Sequence, residues 1–378
     1  MKIPLSKAHI PQQVYENLNQ VLTSGKLSGD GTFCHTVEKK FSQILSIKHT
    51  LLTSSCTHAL EMAMLLLEAK EGDEVILPSF TFTSTANAIL VAGLKPVFCE
   101  IDPLTMNMDM RDVEAKVTNK TKAIIPVHYA GVACEMEKLN DICANKNIMV
   151  VEDAAHAIGA KWRGKHLGTL GDMAALSFHE TKNVICGEGG ALLTNNDYLA
   201  EKALIIREKG TNRSQFLRGQ VDKYTWIDKG SSYILAEPLA AILDAELNIM
   251  HELNKKRESI YDFFMQELRP LAEKEIFKLP FIPADCESNY HLFHIIMRNE
   301  SDKHTLIAHL RNKNIGATFH YIPLHSAPAG LKLGFKVGDL PLTEEYSQRL
   351  LRLPLYPDLS QSEMQFIIEE IYNWSKLQ

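Results

Sequence analysis

The sequence predicts an α/β protein: a large domain on a mostly parallel sheet, followed by a smaller α+β domain. Three observations predict it. The chain has 378 residues, and about 150 residues per domain suggests two domains, or three. From residue 50 onward, short apolar runs alternate with helix-patterned segments, and βαβα alternation implies parallel strands covered by helices on both faces. After about residue 245 the alternation gives way to longer, more charged segments. The domains are therefore expected at 1–245 and 246–378, with no Pro/Gly/Ser linker between them.

Each element follows from its pattern. Residues 50–53 read as a short strand. Leu60, Ala63, Met64 and Leu67 fall at i, i+3, i+4 and i+7, one face of a helix. Residues 74–77 form an apolar strand stopped by Pro78, and 79–92 is expected to be helical. Residues 95–99, 123–127 and 149–151 are further short apolar runs, expected as strands with helices between them. In the second domain a long charged helix near 248–268 leads to a strand at 291–297. A helix at 303–313, a strand near 317–321 and a last helix at 362–374 complete it.

Composition excludes several function classes. Forty Lys and Arg stand against 46 Asp and Glu, a formal net charge of -6. That argues against a non-specific nucleic-acid partner, although a local basic loop can still hold a small anion. The seven cysteines are scattered and form no C-x-x-C pair, so neither a disulfide framework nor a metal site is expected. Reduced cysteines fit a cytoplasmic location. The N-terminus lacks the apolar core of a signal peptide. No run reaches the roughly 18 apolar residues of a membrane span.

Three constellations could carry chemistry. In Thr53-Ser54-Ser55-Cys56-Thr57-His58, small hydroxyl residues sit between a strand and an amphipathic helix. Backbone N–H groups at such a turn form a phosphate cup, and the alternative is ordinary N-capping by Ser55 or Thr57. In Val150-Val151-Glu152-Asp153-Ala154-Ala155-His156, Asp153 lies at the C-terminal edge of the sheet, where α/β proteins bind ligands. It could pair with a protonated ring nitrogen, or cap a following helix. In Ser177-Phe178-His179-Glu180-Thr181-Lys182-Asn183 an apolar strand ends in a polar turn with one lysine, then Gly187-Glu188-Gly189-Gly190. Lys182 could bind a carbonyl covalently if its surroundings favour the neutral amine, or be a solvated surface lysine. Asp153 and Lys182 lie 29 residues apart (182 − 153), each at a strand end, with Ser177 five residues before the lysine. Phosphate cup, ring-nitrogen partner and lysine are together the parts of a pyridoxal 5′-phosphate (PLP) site.

These segments resemble those of the DegT/StrS family of PLP-dependent sugar aminotransferases, which have the fold type I, aspartate aminotransferase-like architecture. The likeness runs over nearly the whole chain. It also includes Lys26-Leu27-Ser28-Gly29, Pro78-Ser79-Phe80-Thr81-Phe82 and His320-Tyr321-Ile322-Pro323-Leu324-His325. The resemblance implies that Lys182 carries the cofactor, that Asp153 pairs with its ring nitrogen and that His156 lies near its phenolic oxygen. It implies that Phe82 stacks on the ring and that Ser55, Cys56 and Ser177 contact the phosphate. Many relatives have a Gly-x-Asn-x-Arg segment whose asparagine reaches the phosphate of the other subunit. Here the segment is Gly230-Ser231-Ser232-Tyr233-Ile234, which leaves Ser232 as the donor. A homodimer is therefore expected.

The resemblance further implies L-glutamate as amino donor and a nucleotide-linked keto sugar as acceptor. Residues 177–183 and 207–216 look like those of the branch that aminates dTDP-4-keto-6-deoxyglucose for surface polysaccharide. Arg213 and Arg218, in a basic stretch with Arg207, Lys209 and Lys223, could hold the diphosphate, or form a solvated charged loop. His320 and His325 could approach the sugar, or be structural. Competing readings are a 3-keto sugar aminotransferase and a non-catalytic sugar-nucleotide sensor. The sugar dehydratases of this fold replace the lysine with histidine, and Lys182 counts against them.

Overall fold

Near-continuous apolar strands need cover on both faces, and seven of them form the central sheet. The structure, a computed structural model, describes residues 2–144 and 146–377. In chain order the strands are β1 (His49–Thr53), β2 (Glu74–Pro78), β3 (Lys95–Cys99), β4 (Thr121–Ile124), β5 (Met149–Asp153), β6 (Lys161–Trp162) and β7 (Lys165–His166). Then come β8 (Met173–Ser177), β9 (Gly190–Thr194), β10 (Phe277–Lys278), β11 (Cys286–Glu287), β12 (Phe293–Met297) and β13 (Leu350–Leu353). The central sheet runs β1-β9-β8-β5-β4-β2-β3. Only β9 opposes the rest: it is antiparallel to both β8 and β1, while β8, β5, β4, β2 and β3 are parallel. So β1, β5 and β8 end at the edge where β9 begins. The register sets Thr53 and Ser177 on either side of Gly190, and Asp153 beside Ala175.

Alternation along each strand sends side chains to two helical layers. Leu51, Val151, Ala175 and Leu192 pack with the helices Cys56–Leu66 and Thr83–Val91. Leu52, Ala174, Leu176 and Leu193 pack with the helix Thr32–Leu45 and the first turns of the helix Glu237–Glu273. The second body is built on the antiparallel sheet β10-β12-β13. Phe293, Ile295, Met297, Leu351 and Leu353 bury one face of it against the helices Glu300–Asn312 and Gln361–Ser375. Ile3 joins this same core and bridges to Ile315. The 37-residue helix Glu237–Glu273 runs unbroken through residues 245 and 246. It gives Ala240, Leu243 and Leu247 to the first core and Ile260, Phe264 and Leu268 to the second.

Three elements differ from the sequence pattern. The helix expected over 79–92 starts at Thr83, because Ser79 donates its N–H to Cys99 and the Phe80 ring is drawn into the core. The strand expected over 123–127 stops at Ile124, just short of Pro126, which has no N–H to offer. Residues 317–321 form no strand; only Thr318 bridges, to Arg352.

Candidate active site

Asp153 is the last residue of β5, so the strand itself fixes its backbone. Its Oδ2 accepts from Thr85 Oγ1 at 2.8 Å and its Oδ1 from the Ala155 N–H at 3.2 Å. No helix follows it, so its role is not that of a helix cap. Burial pushes the carboxyl upward, against the pull of Thr85, Ala155 and the charge of Lys182. Beside it, Glu152 points the other way and locks the turn beneath. It accepts the N–H groups of Gly168, Leu170 and Gly171 and holds His128 Nε2 at 2.8 Å.

The Ser55-Cys56 turn closes against the same edge. Ser55 caps the helix Cys56–Leu66, accepting from the His58 N–H at 3.1 Å. The N–H groups of Cys56 and Thr57 have no acceptor inside the helix, as a first turn requires. Gly190 is what lets the turn sit there. A Cβ on Gly190 would overlap the Cys56 nitrogen and the Ser55 carbonyl. The buried Ser177 stands beside Gly190 on β8. Ser55 therefore caps the helix while the N–H groups of Cys56 and Thr57 stay open to an acceptor from outside it.

Lys182 follows β8 by five residues and is partly buried. Burial brings its amine down to about 8, with Cys56 and Asp153 pulling it back up and Arg352 adding to the fall. Asp153 and Lys182 are thus both pressed toward neutrality by the same apolar setting. The next residue, Asn183, anchors the turn: it donates to Asn254 and to the Asn289 carbonyl, and its Oδ1 accepts from His291 Nδ1 at 2.8 Å. The His291 ring lies tilted against that of His156, with centroids 4.2 Å apart. His156 Nδ1 accepts from the Ala130 N–H, and its Nε2 lies 3.4 Å from the Tyr321 hydroxyl. His320 sits over His156 and meets the Tyr129 hydroxyl at 3.0 Å. Burial and the positive charges nearby hold His156, His291 and His320 well below the ordinary histidine range. The cluster is polar but uncharged.

Of the residues singled out by sequence, Ser55, Cys56, Asp153, His156, Ser177, Lys182 and His320 converge. Phe82 stands at the mouth, 58% exposed, its ring 6.3 Å from that of Tyr321. His325 does not face the site and cannot approach a sugar there: it is fully buried, with Nδ1 on Ser79 and Nε2 on Glu344. Arg213 and Arg218 are not free cations. Arg213 is tied to Asp30 and Glu208, and Arg218 is bidentate on Glu201. Ser232 is exposed and bridges to Glu208, and no hydrogen bond joins it to the Lys182 cluster of its own chain. The sequence reading missed Thr85, Tyr129, His291, His294 and Arg352, of which Arg352 alone carries a signal, a lone charge inside the apolar run Leu350–Leu353.

A flat group with a phosphate at one end and a basic ring nitrogen at the other matches this geometry. The description of the DegT/DnrJ/EryC1/StrS aminotransferase family matches residues 9–372. The chain is 33% identical over 381 residues to the spore coat polysaccharide biosynthesis protein SpsC of Bacillus subtilis (strain 168), covering 98% of this chain and 96% of that protein. It is 31% identical over 372 residues to the GDP-perosamine synthase of Escherichia coli O157:H7, covering 98% and 97%. The crystal structure of the aminotransferase TlmJ from Streptoalloteichus hindustanus superposes with a TM-score of 0.91 at 29% identity, covering 99% of each chain.

Proposed function

Because the chain belongs to the DegT/DnrJ/EryC1/StrS aminotransferase family, and is a PLP-dependent sugar aminotransferase of fold type I, we propose that it aminates a nucleotide-linked 4-keto-6-deoxy sugar. The acceptor is dTDP-4-keto-6-deoxyglucose, the donor L-glutamate and the product a 4-amino-4,6-dideoxy sugar nucleotide for surface polysaccharide. The observation that carries the reading is the convergence of Lys182, Asp153 and the Ser55-Cys56 turn on one sheet edge. The motif variants at 177–183 and 207–216 support the choice of sugar.

The residues fit the cofactor. A buried carboxyl held by Thr85 suits a protonated ring nitrogen, and each would favour the charge of the other. The glycine-backed turn leaves two N–H groups for the phosphate. When bound, PLP supplies an electrophilic carbonyl and an electron-accepting ring. Lys182 holds the cofactor at rest. With the donor in place, the neutral amine of Lys182 would take the proton from the donor's α-carbon and give one back later in the cycle. An amine near 8 is partly neutral at pH 7, which that step requires. His156 and Tyr321, 3.4 Å apart, would line the ring edge, and Phe82 would cover one face. Lys182 would serve both half-reactions, one with the donor and one with the sugar, which predicts ping-pong kinetics.

We also take the active unit to be a homodimer. Leu217, Tyr224, Trp226 and Ile227 expose large apolar surfaces, with Trp226 at 77%, and such a patch favours a protein neighbour. Ser232 lies beside it, through the Glu208 and Thr211 bridges. Product analysis by NMR, with dTDP-4-keto-6-deoxyglucose, PLP and L-glutamate, tests the function. A 4-amino product is expected. A 3-amino product from a 3-keto sugar would displace the substrate assignment. A cofactor band unmoved by glutamate would favour a sensor.

A further inference from the structure

Lys182 has one amine for two substrates, and its surroundings act on that amine through burial and charge, with no hydrogen bond among the described residues. Its place is therefore set by the turn that carries it. Inside the turn the Lys182 N–H donates to the His179 carbonyl at 2.9 Å. The anchor to the outside is the buried Asn183. Its Nδ2 donates to Asn254 Oδ1, on the long helix, at 2.9 Å and to the Asn289 carbonyl at 2.7 Å. A carbonyl can only accept, so Nδ2 must face it and Oδ1 must face His291. His291 Nδ1, 2.8 Å away, therefore carries the hydrogen. Asn289 repeats the pattern one strand over. Its Nδ2 donates to the carbonyls of His156 and Ile158, each at 2.8 Å, just past β5. Its Oδ1 is buried without a donor, against Gly131, where a Cβ would overlap it. An acceptor buried open is costly, so the amide is kept for what its nitrogen holds. The segment 289–291 thus ties the turn after β8 to the turn after β5. Yet it leads into the second body: Tyr290 packs on that core, and the chain runs on into β12.

We propose that Asn183 and His291 are positioning residues: through the hydrogen bond they share, the second body fixes where Lys182 stands relative to His156. The inference rests on the aminotransferase reading of the site. A proton is moved along a defined line, and a displacement of about 1 Å at the amine costs on the order of 100-fold in rate. Strand β8 ends five residues before Lys182 and does not impose that precision alone. The three-point grip on Asn183 supplies it. The His156 and His291 rings lie 4.2 Å apart, so the same grip steadies the edge that would line the cofactor ring. Neither residue needs to touch substrate. A looser turn would slow the proton steps of both half-reactions, admit water to the amine and leave substrate affinity alone.

The test compares wild type, Asn183→Ala, His291→Phe and the double variant, as holoenzyme and freed of cofactor. In single turnovers Asn183→Ala should lower the rate at saturating L-glutamate by about 10- to 100-fold, and at saturating amino-sugar nucleotide by the same factor. The half-saturating concentrations of both should hold within about threefold. In cofactor-free protein, the midpoint for acylation of Lys182 by a neutral reagent should rise from near pH 8 toward the value of about 10.4 of a free lysine. Asp153, Cys56 and Arg352, which act on that amine, are the same in all four proteins. A purely structural weakening would lower the melting temperature and leave the midpoint in place. His291→Phe keeps a ring against His156, guards against a folding defect at Asn183, and should move both readouts the same way by less. With Asn183 gone, His291 has no shared bond to lose, so the double variant should be no more than about twofold slower than Asn183→Ala. Losses that multiply would overturn the shared bond. An unmoved midpoint, or a loss confined to the half-saturating concentration of one substrate, would overturn the positioning role. If the wild type takes no amino group from any amino acid, the aminotransferase reading fails, and the midpoint alone decides the anchoring of Lys182.

Discussion

Lys182 has its chemistry set by where it stands. A surface lysine stays protonated up to about pH 10.4, whereas burial brings Lys182 down to about 8. In cofactor-free protein, the reactivity of Lys182 toward a neutral acylating reagent should therefore rise with a midpoint near pH 8. Peptide mapping across pH would measure it, and a midpoint near 10 would show that water reaches the amine. Lys182 and Asp153 were legible because their spacing and strand-end positions point to one sheet edge. His325 was not, since its saturation by Ser79 and Glu344 depends on residues 246 positions before it and 19 after it. Arg213 and Arg218 looked available for the same reason: Asp30 and Glu201, which occupy them, are brought near by the fold alone.

At the scale of elements, β9 and the helix Glu237–Glu273 make the clearest claims. The first residue of β9 must be bare for the Ser55-Cys56 turn to rest on it. Gly190→Ala should weaken cofactor binding at least tenfold by fluorescence titration while leaving the far-ultraviolet circular dichroism intact; wild-type affinity would mean that the turn is not the phosphate cup. The long helix buries Glu246 and Arg257 near each other, with Glu246 Oε1 and Arg257 Nε unpartnered. Burial raises the Glu246 carboxyl from 4.5 to about 8. Between those values the folded chain keeps a proton that the unfolded chain releases, so stability falls as pH rises through that window. Glu246→Gln removes the titration. Its melting temperature relative to wild type should climb from pH 5 to pH 8 and then level off; a difference that is flat with pH would show that Glu246 ionises freely. Strands β1 to β5, β8 and β12 were legible because each is a short apolar run, whereas β9, behind its glycines, β13, interrupted by Arg352, and the two-residue strands were not. The segment 317–321 was misread because alternation there serves the site's histidine and tyrosine rather than a sheet.

For the whole molecule, the proposed dimer makes a quantitative demand. Lys182→Ala keeps segment 230–234, and a chain with that segment disrupted keeps Lys182. Refolded together, random pairing makes half the dimers mixed, each with one complete site of two, so about a quarter of the sites should recover. No recovery, with mixed dimers shown by mass, would mean that each chain completes its own site. The two bodies of one chain are joined differently, by a rod of about 55 Å at 1.5 Å per residue with an anchor in each core. Melting either core frees half of that rod and strips packing from the other half, so neither body can be lost alone without loosening its neighbour. The monomer should therefore give one calorimetric transition, its van't Hoff and calorimetric enthalpies in agreement, where two cores tied by a slack linker would give two.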